Sequence, residues 1–112
     1  MVSKTYKNSA TIAAGALWVI DPLNHYSGSG KDFMKKFVPF NSLFVSNEDT
    51  NTIEVYPNGN ADRKQVLSQG ATRNLLTSDK TKDVFEYVQI KNIGTGTISI
   101  DTITVRIGRE GL

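Results

Sequence analysis

The sequence predicts an all-β fold, namely a single antiparallel β-sandwich of jelly-roll type with seven to eight strands in one domain over residues 1–112. Three observations support this prediction. Short runs rich in Val, Ile, Thr, Phe and Tyr are separated by Gly, Asn, Asp and Pro clusters, at a spacing typical of sandwiches. A chain of 112 residues is long enough for one core and too short for two. One strand-like stretch also occurs twice.

The individual strands lie between turn signals formed by Gly, Asn, Asp and Pro. We predict strands at residues 10–20, 37–46, 52–56, 64–67, 73–77, 84–91 and 96–107. The termini, residues 1–8 and 109–112, are polar, and we expect extended segments there that are long enough to reach an adjacent copy.

The last predicted strand changes its inward face partway. Ile98 and Ile100 occupy even positions, whereas Ile103, Val105 and Ile107 occupy odd ones. A regular strand keeps one face throughout, because successive side chains alternate. The pattern therefore predicts either a β-bulge near Asp101-Thr102 or a bend after which the strand serves the other sheet.

The repeated stretch is LFVSNEDTNTIEV at residues 43–55 and VQIKNIGTGTISI at residues 88–100. Each copy has an alternating strand that ends in Asn, four linking residues, and a second strand that opens with Thr and Ile. We interpret the copies as two equivalent hairpins, because Asn suits a strand exit. A second echo joins AAGA at residues 13–16 with SQGA at residues 68–71, where a Gly turn precedes an apolar strand.

One segment departs from the β pattern. In KDFMKKF, residues 31–37, three apolar side chains lie at helical spacing with lysines opposite. We predict a short helix or loop insertion near 31–37 that closes an open end of the sandwich. A membrane or partner contact is the alternative for such a basic amphipathic stretch.

Composition and charge exclude several function classes. The net charge of +2 is scattered, so no basic stripe predicts a nucleic-acid partner. The absence of cysteine removes disulfides and thiolate catalysis. The longest apolar run, residues 10–20, is far shorter than the roughly 20 residues that span a bilayer, and we predict no membrane span.

Candidate chemical motifs fail on inspection. HYSGSGKD, residues 25–32, lacks the first Gly and the final Ser or Thr of a phosphate-binding loop. His25 is the only imidazole and has no carboxylates at ligand spacing, so we interpret it as an ordinary loop residue. Glu48 and Asp49 could attract calcium but lack the EF-hand pattern, and we interpret them as a solvated turn. We predict no catalytic, cofactor-binding or metal residues, no cofactor and no enzymatic activity.

Aromatic side chains leave two alternatives open. In the predicted strand 84–91, Phe85 and Tyr87 share one face, while Val88 and Ile90 share the other, so the strand is either core or an intersubunit surface. Trp18, inside ALWVI, suits the core, although exposed aromatic residues can also stack on sugars.

Four stretches together resemble a known group: AAGALWVI, LFVSNEDTNTIEVYPNG, QGATRNLL and VQIKNIGTGTISIDTITVRIG. Their profile of turns and strands is similar to the small β-sandwich and jelly-roll structural proteins of bacteriophage or viral particles. The resemblance implies a capsid, decoration, spike or tail component that works as a homo-oligomer with other virion proteins, without a cofactor. It also implies a place in the virion, assembled in the host cytoplasm.

The function expected from the sequence is therefore a non-enzymatic structural subunit of a phage or viral particle. Such a subunit would assemble through sheet faces, hairpin tips and termini. The alternative is a carbohydrate-binding β-sandwich module, with a host glycan as its partner.

Overall fold

The computed structural model describes residues 2–21, 40–76 and 86–109 and shows eight strands in two antiparallel four-stranded sheets. In chain order the strands are β1 (Val2–Lys7), β2 (Leu17–Ile20), β3 (Ser42–Asn47), β4 (Ile53–Pro57), β5 (Gln65–Leu67), β6 (Thr72–Leu76), β7 (Val88–Asn92) and β8 (Ile103–Arg109). The helical part of these ranges is one 3₁₀ turn, Ala61–Arg63. The predicted all-β antiparallel sandwich is confirmed.

The two sheets repeat one arrangement. The first sheet has the order β1-β8-β3-β6 and the second has the order β2-β7-β4-β5. Read from its other edge, the second sheet has the order β5-β4-β7-β2. Its strands then match β1, β8, β3 and β6 of the first sheet in turn, and the two strands of each pair differ by four in strand number. The chain changes sheets at every connection except that between β4 and β5, and the connections β3–β4 and β7–β8 correspond to each other.

This connectivity corrects the predicted hairpins. β3 pairs with β6 and β8, whereas β4 pairs with β5 and β7, so residues 43–55 turn a corner between sheets. In the second copy, β7 lies in the second sheet, Ile98 bridges to Ile12, and β8 lies in the first sheet. A four-residue link fits a hairpin loop as well as a corner between sheets. Long-range hydrogen bonds therefore decide which of the two forms.

The core lies between the sheets and follows the alternation of the strands. Its fully buried members come from both layers, including Leu43 and Val45 of β3 and Ile53 and Val55 of β4. Among the described residues, the buried hydrophobic set is Ile12, Ile20, Phe40, Leu43, Val45, Ile53, Val55, Leu67, Val88, Ile90, Ile98, Ile103, Val105 and Ile107.

The predicted change of face after Ile98 is confirmed as a break in the strand. Ile98 and Ile103 are buried, while Ile100 between them is 52% exposed. Asp101 has a φ of 63°, a left-handed conformation that turns the chain. Of the two alternatives, the structure therefore shows the bend, with β8 beginning in the first sheet after it.

Several of the predicted strand boundaries change in the structure. The run 10–20 is a strand only from Leu17, because a turn with Gly15 at φ 79° interrupts it. The run 84–91 is a strand from Val88, and residues 84–85 lie outside the described residues. The insertion predicted near 31–37 and residues 110–112 also lie outside them.

The N-terminal segment is the strand that the sequence does not predict. Val2–Lys7 pairs with β8 along its whole length, so this segment is an edge strand of its own sheet. Its Ser, Thr and Lys side chains give no apolar alternation, and among its described side chains Tyr6 packs against the core. Position at a sheet edge explains why a polar sequence forms this strand.

Candidate functional site

Two buried asparagines hold the corners between the sheets. Asn47 ends β3, where its Oδ1 accepts the N–H of Asp49 at 2.9 Å. Its Nδ2 donates to the carbonyl oxygens of Asn51 at 2.9 Å and Leu67 at 3.0 Å. Each polar atom of this side chain therefore binds backbone, and one bond reaches a strand in the same sheet as β4.

Asn92 makes the corresponding bonds at the end of β7. Its Oδ1 accepts the N–H of Gly94 at 2.9 Å, and its Nδ2 donates to the carbonyls of Gly96 at 2.8 Å and Ile12 at 2.9 Å. Because Leu67 and Ile12 precede the two Gly turns, the corner motif and the Gly-turn motif form one unit that occurs twice.

The backbone completes each unit in the same way. The N–H of Asn47 donates to the carbonyl of Ala71, and that of Gly70 donates back to Asn47. The second unit has the same exchange, from Asn92 to Ala16 and from Gly15 to Asn92. The sequence shows both echoes but not that they contact each other, because the partners are far apart in the chain.

A third asparagine fastens the bend that precedes β8. Asn8 Nδ2 donates to the carbonyls of Ala10 at 3.1 Å and Ser99 at 2.8 Å, and its Oδ1 accepts the N–H of Ile103 at 3.0 Å. The segment after β1 and the segment before β8 are thus held together by one side chain.

Asp49 is buried, which corrects the predicted solvated turn; its neighbour Glu48 is exposed. Asp49 Oδ1 accepts from the backbone N–H of Asn51 at 3.0 Å and from its Nδ2 at 2.8 Å. Oδ2 accepts from the N–H of Ser99 at 2.9 Å and from Thr102 Oγ1 at 3.3 Å. Burial alone would raise the pKa of Asp49, but these four hydrogen bonds together lower it.

The surroundings of Asp49 do not suit a cation. Every hydrogen-bond partner described for its carboxylate is a donor, whereas a calcium site supplies oxygen ligands. Within residues 2–21, 40–76 and 86–109, no three His, Cys, Asp or Glu side chains are grouped as metal ligands would be. Asp49 instead ties the first corner to the bend that precedes β8.

The outer face of the second sheet carries a different polar group. Tyr56 donates its hydroxyl to Glu54 Oε1 at 2.7 Å, and Lys64 Nζ lies 2.9 Å from Glu54 Oε2. These contacts, with a weaker contribution from Lys91, lower the pKa of Glu54, and the bond to Glu54 raises that of Tyr56. Glu54 is therefore held as a carboxylate and is a poor proton donor at neutral pH.

A cleft of about 380 Å³ lies beside Trp18. It is lined by Asn8, Ser9, Ala10, Thr11, Ile12, Ala13, Ala16, Leu17 and Trp18, none of which carries a charge. Trp18 is partly buried and packs against the core, so it serves both the core and the wall of this cleft.

The remaining residues considered in the sequence analysis lie in different parts of the chain. Val88 and Ile90 of β7 are core, while Tyr87 is partly exposed and lies against Gly59. His25, the segment 25–32 and Phe85 lie outside the described residues. No helix in the part of the chain that the structure describes is long and apolar enough to cross a membrane.

Comparisons with known proteins concern shape. The chain is similar to a de novo designed double-stranded β-helix, with 11% identity, 96% of this chain and 97% of that chain covered, and a TM-score of 0.46. It is also similar to PirA, with 10% identity, 94% and 91% covered, and a TM-score of 0.49. No protein-family model and no curated protein matches the chain. Neither structural likeness bears on function.

Proposed function

We propose that this chain is a non-enzymatic structural subunit of a phage or viral particle. The observation that carries the proposal is the use made of its buried polar side chains. Asn8, Asn47, Asn92 and Asp49 form hydrogen bonds that hold corners and loop segments in place. The polar atoms of these four side chains are bound to other parts of the chain, so they stabilise the fold and are not available to a substrate.

The surface supports the same proposal, because it offers area for contact with other subunits. Leu17 and Val66 are each 50% exposed and lie on the edge strands of the second sheet. Covering these exposed apolar side chains with another subunit would remove apolar area from water, which favours association. Between them, Lys64 Nζ lies 2.9 Å from Glu54 Oε2.

Light scattering of the purified chain tests this proposal. We expect concentration-dependent association into a discrete oligomer, because a particle subunit is built around repeated symmetric contacts. The genes beside the coding sequence provide an independent check. Neighbouring portal, capsid or tail genes would support the proposal, and a monomer encoded among metabolic genes would contradict it.

The cleft beside Trp18 favours a second candidate function, the binding of a neutral saccharide. An indole ring offers an apolar face for a sugar ring, and the hydroxyls of Ser9 and Thr11 are exposed beside it. The uncharged lining favours a ligand without charge.

Fluorescence titration tests the second candidate cleanly, because Trp18 is the sole tryptophan. We expect neutral mono- or disaccharides to change its emission, and Thr11→Ala to weaken the response. Thr104→Ala, on the outer face of the other sheet, is the matched control. Unchanged emission at saturating sugar would remove this candidate and leave the structural role standing.

A further inference from the structure

The pairing register of the strands arranges the side chains on the outer face of the second sheet in rows. This surface is called here the sheet-2 face. One row runs across all four strands: Leu17 of β2 lies beside Lys91 of β7, Lys91 beside Glu54 of β4, and Glu54 beside Val66 of β5. A second row contains Val19, Gln89 and Tyr56. Register partners share a face, so these side chains form one surface.

The first row is complementary to its own reverse. It has the order apolar, basic, acidic, apolar. A two-fold rotation about an axis parallel to the strands, between β7 and β4, turns the row end for end over itself. Leu17 then faces Val66 of a second copy, and Lys91 faces Glu54 of that copy. In the neighbouring row the same rotation brings Gln89 opposite Tyr56.

We propose that the sheet-2 face binds a second copy of this chain across this two-fold axis. The inference rests on the proposed function, since it names the partner and the surface through which the subunits assemble. Two-fold contacts of this kind use the same patch on both subunits. The strands of the two copies run nearly aligned, as in other face-to-face sheet packings.

Charge selects this axis over its alternative. A two-fold axis in the same plane but perpendicular to the strands would place Lys91 on Lys91 and Glu54 on Glu54. Like charges opposed in this way are unfavourable across an interface. The side chain of Glu54 is 12% exposed and its carboxylate already binds Lys64 and the Tyr56 hydroxyl, so the repulsion between facing Lys91 side chains contributes most to this choice of axis.

The contact is small, which determines how it should be measured. Four strands of three to five residues, at about 4.8 Å between strands and about 3.4 Å per residue, give a face of about 14 by 17 Å, or about 240 Å², whereas a stable interface covers about 800 Å² on each partner. The pairing is therefore weak in isolation and strengthens when other contacts in a particle hold the copies together. A covalent trap is the suitable readout.

The chain contains no cysteine, so single cysteines report contacts without background. Leu17→Cys and Val66→Cys replace half-exposed side chains and are mixed under mild oxidation. We expect a disulfide-linked dimer in the mixture and none from either variant alone. The matched control is Thr5→Cys mixed with Asn74→Cys, at the two ends of the equivalent row on the first sheet, where we expect no dimer.

Charge reversal tests the centre of the row. Adding Lys91→Glu to both cysteine variants is expected to reduce the yield of linked dimer about tenfold, because two facing pairs become repulsive. A carbodiimide cross-link between Lys91 and Glu54 provides a measurement on the wild type. Mixing isotopically light and heavy chains separates links between copies from links within one copy.

The outcomes separate the inference from the proposed function. Association in light scattering without a link between positions 17 and 66 would overturn the two-fold face and leave the structural role intact. A dimer formed by Leu17→Cys alone would show the other axis and would also overturn the inference. A wild-type chain that stays monomeric and forms no mixed-isotope link would contradict both.

Discussion

Replacing Asn92 with Ala removes the hydrogen bonds that hold one corner between the sheets. The side chain is fully buried and makes three bonds, to the N–H of Gly94 and to the carbonyls of Gly96 and Ile12. At a net value of about 1 kcal/mol for each bond, Asn92→Ala is expected to lower the free energy of unfolding by about 3 kcal/mol. Single domains are stable by about 5–15 kcal/mol, so this is a large part of the total.

Urea denaturation followed by Trp18 fluorescence measures this loss. Asn47→Ala removes the corresponding three bonds in the first unit and is expected to cost the same amount within about 0.5 kcal/mol. Asn74→Ala is the matched control, because this side chain is exposed on β6, and we expect a change below about 0.5 kcal/mol.

Asn92→Asp sharpens the test. It keeps an oxygen for Gly94 but places a carboxylate against the two carbonyls that the amide now binds. We expect a greater loss than with Ala, since an uncompensated buried charge is costly. If Asn92→Ala cost less than about 1 kcal/mol, or if Asn92→Asp were as stable as the wild type, the corner mechanism would be refuted.

Three further predictions follow from the buried carboxylate and the turns. Because the folded pKa of Asp49 is lowered, its contribution is complete above the ordinary value of 3.8 and is lost as pH falls through the folded pKa. The stability gap between wild type and Asp49→Asn should therefore narrow in acid, and urea titrations showing a constant gap would exclude this role. Gly70→Ala has open space for its Cβ but a φ of +81°, so we expect a loss of about 1 kcal/mol by thermal denaturation, and no loss would contradict the strained turn. Gly59→Ala should cost more, because its Cβ would lie 2.6 Å from the Tyr87 hydroxyl; Tyr87→Phe should recover part of the loss, and equal melting temperatures with and without that change would argue against the clash.

The fold class could be predicted from the sequence, because alternation in β3, β4, β7 and β8 marks strands with one buried face. The path between the sheets could not. A strand, four residues and another strand describe a hairpin and a corner equally well. The deciding bond joins Asn47 to Leu67, a partner that no local pattern identifies.

The same limit explains the residues that local patterns misassign. Asp49 sits beside exposed Glu48 and has the sequence of a solvated turn, yet two of its donors, Ser99 and Thr102, come from the other end of the chain. β1 lacks apolar alternation and is specified by pairing with β8.

The sheet-2 face is also invisible to local spacing. From the sequence, Phe85 and Tyr87 form one face of the predicted strand 84–91. In the structure, the described outer face of β7 is formed by Gln89 and Lys91. The row that carries the further inference has one residue from each of four strands. Its order exists only once the strands are aligned in register.

Sedimentation equilibrium of the wild-type chain, from dilute to concentrated solution, measures whether the subunit associates with its own copies. A chain that works by shape and repeated contact should show a weight-average mass that rises from 12.3 kDa toward a whole multiple of that value. A mass that stays at 12.3 kDa at every concentration would contradict the account.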